Sequence, residues 1–317
     1  MRRKIWSRIV KPSTRAFYDE GTKLPHYSIW NWLHGYIYTR WPYLYIGVAT
    51  GEHRLARFLL PIWRVVARLF HLTASEKAEH TGITFADTYH GKVIPHDHAK
   101  HLVTLDRPIE LGDLEQVIPY ARARDIVLLN PDHIVVLECP CRASRPNPCK
   151  PLDVCLIIGE PFASFVAEHH PRRSRWITQQ EAVDILAAEH ERGHVHHAFF
   201  KDAMLDRFYA ICNCCSCCCG AMQAWREGVM MLAPSGYIVD IDRAKCQSCG
   251  TCVDYCPFDA LSMDNGRLVV NEEKCMGCGV CVPKCPQHAH SLVLDSRKGV
   301  PLEIRELIQR QDKAAAG

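Results

Sequence analysis

Apolar residues along this chain fall into short runs separated by glycine, proline and acidic residues, a pattern of strands and short helices. Runs at 125–129 and 133–137 read as short buried strands, and 155–158 as another that leads through Gly159-Glu160-Pro161 into a helix at 161–169. Thr178-x-x-Glu181 is a capping box, opening a helix that runs to about Arg192 and stops at Gly193. Residues 208–211 then carry the chain into the cysteine-rich loop. Alternation of strands and helices over about residues 85–235 predicts an α/β domain. Beyond it, 237–241 reads as a strand, and 261–263 and 267–270 flank Asp264-Asn265-Gly266 as a β-hairpin. Residues 52–71 have a helical period, interrupted at Pro61. Arg54, Arg57, Arg64 and Arg68 fall on one stripe, and Leu55, Phe58, Leu59, Ile62, Trp63, Val66, Leu69 and Phe70 on the others.

Composition changes the picture at the N-terminus. The 317 residues carry a net charge of +3, but residues 1–72 hold 12 basic and 3 acidic side chains, leaving the remainder net acidic. Residues 27–45 add Tyr27, Trp30, Trp32, Tyr36, Tyr38, Trp41, Tyr43 and Tyr45. Aromatics without a recognisable binding fold, on a chain otherwise acidic, argue against nucleic acid. No stretch reaches the roughly twenty apolar residues of a membrane span. Residues 27–71 could still lie on a membrane surface, but an arm that docks on a partner or covers the neighbouring domain is favoured.

The chemistry lies in eighteen cysteines. Met1-Arg2-Arg3-Lys4 lacks a following apolar signal segment, so a reducing, cytoplasmic and anaerobic setting is expected, with metal ligation in place of disulfides. Eight cysteines form two copies of one spacing, Cys246-x-x-Cys249-x-x-Cys252-x-x-x-Cys256-Pro257 and Cys275-x-x-Cys278-x-x-Cys281-x-x-x-Cys285-Pro286. Three thiolates two residues apart wrap one cubane, and the fourth is carried to the other cluster. The expected ligand sets are Cys246, Cys249, Cys252 and Cys285 for one [4Fe–4S] cluster, and Cys275, Cys278, Cys281 and Cys256 for the second. Zinc favours separated ligand pairs, whereas these steps overlap. Residues 246–262 and 275–291 agree at nine of seventeen positions.

On these motifs residues 237–295 resemble the bacterial two-cluster ferredoxin. The resemblance implies a small pseudo-symmetric sheet with two short helices, two [4Fe–4S] clusters and one-electron transfer at low potential, roughly −400 mV or below.

The other ten cysteines form two groups. Glu138-Cys139-Pro140-Cys141-Arg142 is followed by Cys149 and Cys155, and six more lie between Cys212 and Cys219. No packing argument requires such density. Candidate ligands are Cys139, Cys141, Cys149, Cys155, Cys212, Cys214, Cys215, Cys217 and Cys218, and the adjacent Cys219 leaves the choice within that run open. A further [4Fe–4S] cluster is the favoured reading, ahead of structural zinc and of a redox dithiol or substrate-modifying site. Arg142 could hydrogen-bond a cluster sulfur. The order of CxCR, spaced cysteines, a capped helix, a Gly-His segment and CNCCxCC before the ferredoxin run is similar to a family of iron–sulfur proteins of anaerobes, described only as four-iron, four-sulfur binding proteins. That resemblance covers about residues 125–295.

Histidines cluster at His96, His98 and His101, at His169 and His170, and at His194, His196 and His197; a His-x-His pair could ligate metal or relay protons, but exposed loop residues are the favoured reading. His288 and His290 follow Cys285 and could sit near a cluster. No glycine-rich phosphate or dinucleotide fingerprint is present.

The expected organisation is α+β: a basic, aromatic extension (1–84), an α/β cysteine-rich domain (85–235), a ferredoxin-like 2[4Fe–4S] domain (236–296) and a tail (297–317). The expected function is iron–sulfur electron transfer to a redox partner or larger oxidoreductase complex. The alternative is an oxidoreductase whose CxCR and CNCC cysteines form a catalytic metal or thiol site.

Overall fold

The computed structural model describes residues 10–58, 89–112, 114–118 and 125–316. Helices and strands are mixed, as an α+β chain requires. Eight strands form the central sheet: β1 (Tyr89–Ile94), β2 (Ile109–Leu111), β3 (Ile126–Glu138), β4 (Asp153–Glu160), β5 (Ser174–Ile177), β6 (Val195–Lys201), β7 (Arg207–Cys214) and β8 (Leu232–Ala233). Their order is β2-β3-β4-β7-β6-β1-β8, with β5 also paired to β3. Among these strands β1 and β8 pair in parallel, and the other strand pairs are antiparallel. The middle region therefore departs from the parallel sheet that an α/β alternation favours. Short reversals such as 202–206, between β6 and β7, explain why: they leave no room for a crossover helix.

Side chains alternate across this sheet and build a core on each face. Ile134, Val136, Leu156, Ile158, Ala198 and Phe200 face one way. Val135, Leu137, Cys155, Ile157, Val195 and Phe199 face the other. Helices α4 (His96–Val103) and α7 (Gln179–Glu191) lie on the first side. Thr178 caps α7 by accepting a hydrogen bond from the Glu181 backbone N–H. On the second side lie α6 (Phe162–His169), the cysteine-bearing loops and three N-terminal helices, α1 (Pro12–Thr22), α2 (Ile29–Arg40) and α3 (Pro42–Ala49).

Those N-terminal helices explain the aromatic run. Phe17 is fully buried against Phe162. The Tyr38 and Tyr209 hydroxyls meet at 2.8 Å, and the Tyr43 hydroxyl donates to the Glu138 carbonyl at 3.0 Å. Gly35 lets α2 approach the Ala203 carbonyl so closely that a Cβ would collide with it. The described part of the arm thus covers the middle domain. Of the basic stripe, Arg64 and Arg68 lie outside the described residues, as do 59–71 of the expected 52–71 helix. Among the described residues no helix is long and apolar enough to cross a membrane.

Two elements differ from expectation. The runs at 125–129 and 133–137 are one strand, β3, which continues through Asn130-Pro131-Asp132. Asn130 takes a left-handed φ of 52°, and the pairing with β4 shifts register there, so the turn residues make a bulge. The Gly-His segment is strand β6, buried at every position, so His196 and His197 are interior side chains and not exposed loop residues.

The C-terminal module repeats itself in its backbone. β9 (Tyr237–Ile241) pairs antiparallel with β12 (His290–Leu294), and β10 (Leu261–Asp264) pairs with β11 (Arg267–Val270). Asn265 and Gly266 both have positive φ, as a tight hairpin turn demands. Positive φ also recurs in pairs 29 positions apart: Ser248 and Gly277, Gly250 and Gly279, Asp259 and His288. Ala260 donates its N–H to Cys256 Sγ at 3.2 Å, and Ala289 to Cys285 Sγ at 3.3 Å. The sequence repeat is therefore a conformational repeat.

Candidate metal centres

The eighteen cysteines separate into four groups. In the C-terminal module Cys246, Cys249, Cys252 and Cys285 surround one small cavity, with His290 at its wall. Cys256, Cys275, Cys278 and Cys281 surround another. Each group takes three cysteines from one run and the last from the other run. Gly277 is essential to the second loop, because a Cβ there would collide with the Tyr237 carbonyl and the Ser235 hydroxyl. Burial pushes the Cys278 thiol up to about 12 and the Cys252 thiol up to about 11. Without metal they are protonated at neutral pH, so loading must release protons and grow stronger as pH rises. His290 is buried, and its Nδ1 stands 3.3 Å from the Cys281 carbonyl. His288 is exposed.

The third group lies in the middle domain. Cys139 sits at the end of β3, and Cys141 lies in the short helix α5 (Pro140–Ala143). Cys155 and Cys212 face each other across β4 and β7. Cys214 ends β7 and Cys219 precedes helix α8 (Gly220–Arg226), their sulfurs 3.2 Å apart. These six, together with Cys215, line a cavity of ≈ 70 Å³ whose remaining wall is largely apolar, including Tyr38, Ile46, Val166, Phe199, Met204 and Tyr209. The N-terminal helices supply part of its roof, a role that no local sequence signal announced.

Arg142 reaches the same cavity and is 1% exposed. It donates to Glu189 and to the Pro151 carbonyl at 2.6 Å each, and to the Asn213 carbonyl at 2.9 Å. Burial alone would raise the Glu189 carboxyl, but a hydrogen bond from His194 and the Arg142 guanidinium hold it below the usual range. Arg142 Nε remains buried without a protein partner. A buried, unspent N–H beside six thiols fits an anionic sulfur centre.

The fourth group is Cys149, Cys215, Cys217 and Cys218, whose sulfurs all lie within 4.8 Å of one another. Cys219 therefore parts company with its neighbours: it belongs to the cavity, whereas Cys217 and Cys218 belong to this outer set.

Three histidines also converge. His96, His190 and His196 bring ring nitrogens within 4.8 Å of one another. The His96 and His190 rings stack 14° from parallel, so their in-plane lone pairs run alongside each other and do not aim at one ion. Nδ1 of His196 is 2.6 Å from Asn213 Oδ1. Desolvation lowers His190, lowers His96 to about 4 and lowers His196 to about 3. For His196 the folded-state pKa lies below that of the unfolded chain, so the unfolded chain takes up the extra proton. Stability is therefore whole above about pH 6.5 and falls below it, by up to about 1.4 kcal/mol per pH unit from this residue. Denaturant titrations at pH 7 and pH 5.5, with cluster absorbance followed separately, should show a lower midpoint at pH 5.5; equal midpoints would contradict this. Four other described histidines make structural contacts: His101 pairs with Glu303 at 2.6 Å, His98 packs edge-on against Tyr237, His169 meets Thr14 at 2.8 Å and His170 the Thr39 carbonyl at 2.7 Å.

Residues 238–286 match the family model of the 4Fe-4S dicluster domain. No curated protein matches the chain. The C-terminal module is thus an iron–sulfur domain of ferredoxin type, with at least one [4Fe–4S] cluster and an electron-transfer role.

Proposed function

We propose that this chain is a multi-centre iron–sulfur electron-transfer protein. Two [4Fe–4S] clusters are held in the C-terminal module, one by Cys246, Cys249, Cys252 and Cys285 and the other by Cys256, Cys275, Cys278 and Cys281. A further cluster is held by four of the six thiols of the middle cavity. Clusters of this kind supply one-electron storage and transfer when bound.

The observation that carries the proposal is the way the module docks. Phe258, Met276 and Val280 join the same buried core as Cys139, Cys155, Cys214 and Cys219, and Cys278 packs against it. Phe258, two residues after Cys256, meets Trp225 edge-on at 5.2 Å, and Trp225 belongs to α8, the helix that follows Cys219. Hydrogen bonds fix the contact: Arg226 to the Pro257 carbonyl at 2.9 Å, and Ser235 N–H to the Met276 carbonyl at 3.0 Å. The 275–281 loop thus faces the cavity side of the middle domain across a largely buried, apolar contact. Such an arrangement suits passage between fixed centres and excludes water from them.

Replacing Cys139 and Cys141 together by serine should remove about four irons and four sulfides per chain while leaving the C-terminal module loaded. Unchanged iron and sulfide would contradict a cluster in the cavity.

A further inference from the structure

The outer four cysteines differ from every other cysteine group in their spacing. Cys149 Sγ lies 2.9 Å from Cys217 Sγ, Cys217 Sγ lies 3.6 Å from Cys218 Sγ, and the whole set with Cys215 fits within 4.8 Å. A tetrahedral ion with bonds of about 2.3 Å sets its four sulfurs about 3.8 Å apart. In a cubane each thiolate binds a different iron, so the sulfurs stand farther apart. The protein contains its own standard for that wider spacing. Among the described residues, no three cysteines of either C-terminal quartet come within 4.8 Å of one another.

We infer that Cys149, Cys215, Cys217 and Cys218 form a tetrathiolate site for a single divalent ion, zinc or ferrous iron, separate from the iron–sulfur centres. Four protein thiolates close the coordination sphere, which is the structural and not the catalytic form of such a site. Its place in the fold gives it a task. Cys149 lies in the loop between α5 and β4, and the other three lie in the turn between β7 and α8. These two segments adjoin Cys141 and the pair Cys214 and Cys219, so one ion ties together the rims of the buried cavity.

The surroundings suit a centre that four thiolates and one divalent ion leave with two net negative charges. Arg145 donates to the Cys218 carbonyl at 3.3 Å, and Arg226 donates to the Ser216 carbonyl at 2.7 Å. The Arg142 charge acts on Cys215 from the cavity side. Three guanidinium groups thus surround one short turn. The inference holds however many clusters the C-terminal module carries.

The test is metal and sulfide analysis of the full chain, purified without oxygen, beside Cys217→Ala and Cys149→Ala. Cys217 is exposed, so its replacement leaves the core intact. Each variant should lose one zinc or one iron per chain with inorganic sulfide unchanged. Cobalt(II) refilling should give thiolate-to-metal absorption in the parent protein and not in either variant. Loss of about four irons together with about four sulfides would overturn the inference in favour of a cubane. Unchanged metal and sulfide in both variants would overturn it as well.

Discussion

Replacing Arg142 by methionine is expected to destabilise the protein by about 3 kcal/mol, the lower end of what is lost when one partner of a buried ion pair is removed. Arg142 and Glu189 are each 1% exposed at the side chain, and the substitution leaves the carboxylate buried. The loss stays at the lower end because His194, at 2.7 Å, and Arg192, at 2.9 Å, still reach Glu189. The Pro151 and Asn213 carbonyls also lose their donor, and unmade buried hydrogen bonds add to the cost. Denaturant midpoints measure the effect. The double substitution Arg142→Met with Glu189→Met should recover part of the loss, because it removes the stranded charge. A double variant no more stable than the single one would contradict that explanation.

A second large effect separates crossed from local ligation in the C-terminal module. Cys285→Ala should cost about four irons. Adding Cys249→Ala should cost no more, since both thiols serve the same cluster. Adding Cys278→Ala should instead raise the loss to about eight. The reverse pattern would mean that each run supplies all four of its own ligands. Iron counts on the three variants decide between the two.

The difference between what could and could not be read in the sequence follows from range. The C-terminal quartets are local: three ligands lie within seven residues, and the glycines and the turn at Asn265-Gly266 fix their loops nearby. The middle cysteines are paired by tertiary structure. Cys155 meets Cys212 because β4 and β7 are neighbours, and Cys149 meets Cys217 across 68 positions of chain. Nothing local divides Cys217-Cys218-Cys219 between two sites; the turn leading into α8 does so by directing Cys219 inward. Likewise the polar look of His194-Val195-His196-His197 hid a fully buried strand, because Asn213 satisfies His196 from the next strand. The aromatic N-terminal run leaves a docking arm and a cover for the neighbouring domain both open in the sequence, and Tyr38 and Tyr43 spend their hydroxyls on the domain they cover.

Arg142 links the two kinds of information. The sequence placed it beside two cysteines, and either a cluster contact or an ordinary ion pair could be argued. The structure assigns its terminal nitrogens to Glu189 and two backbone carbonyls, and leaves Nε buried without a protein partner.

The central claim is that the chain carries three iron–sulfur clusters, two in the C-terminal module and one in the buried six-cysteine cavity. The most direct test is the content of iron and acid-labile sulfide per chain in protein purified without oxygen. The account predicts about twelve sulfides, with about twelve irons apart from the tetrathiolate ion. About eight sulfides would remove the cavity cluster, and about four would contradict the two-cluster module itself.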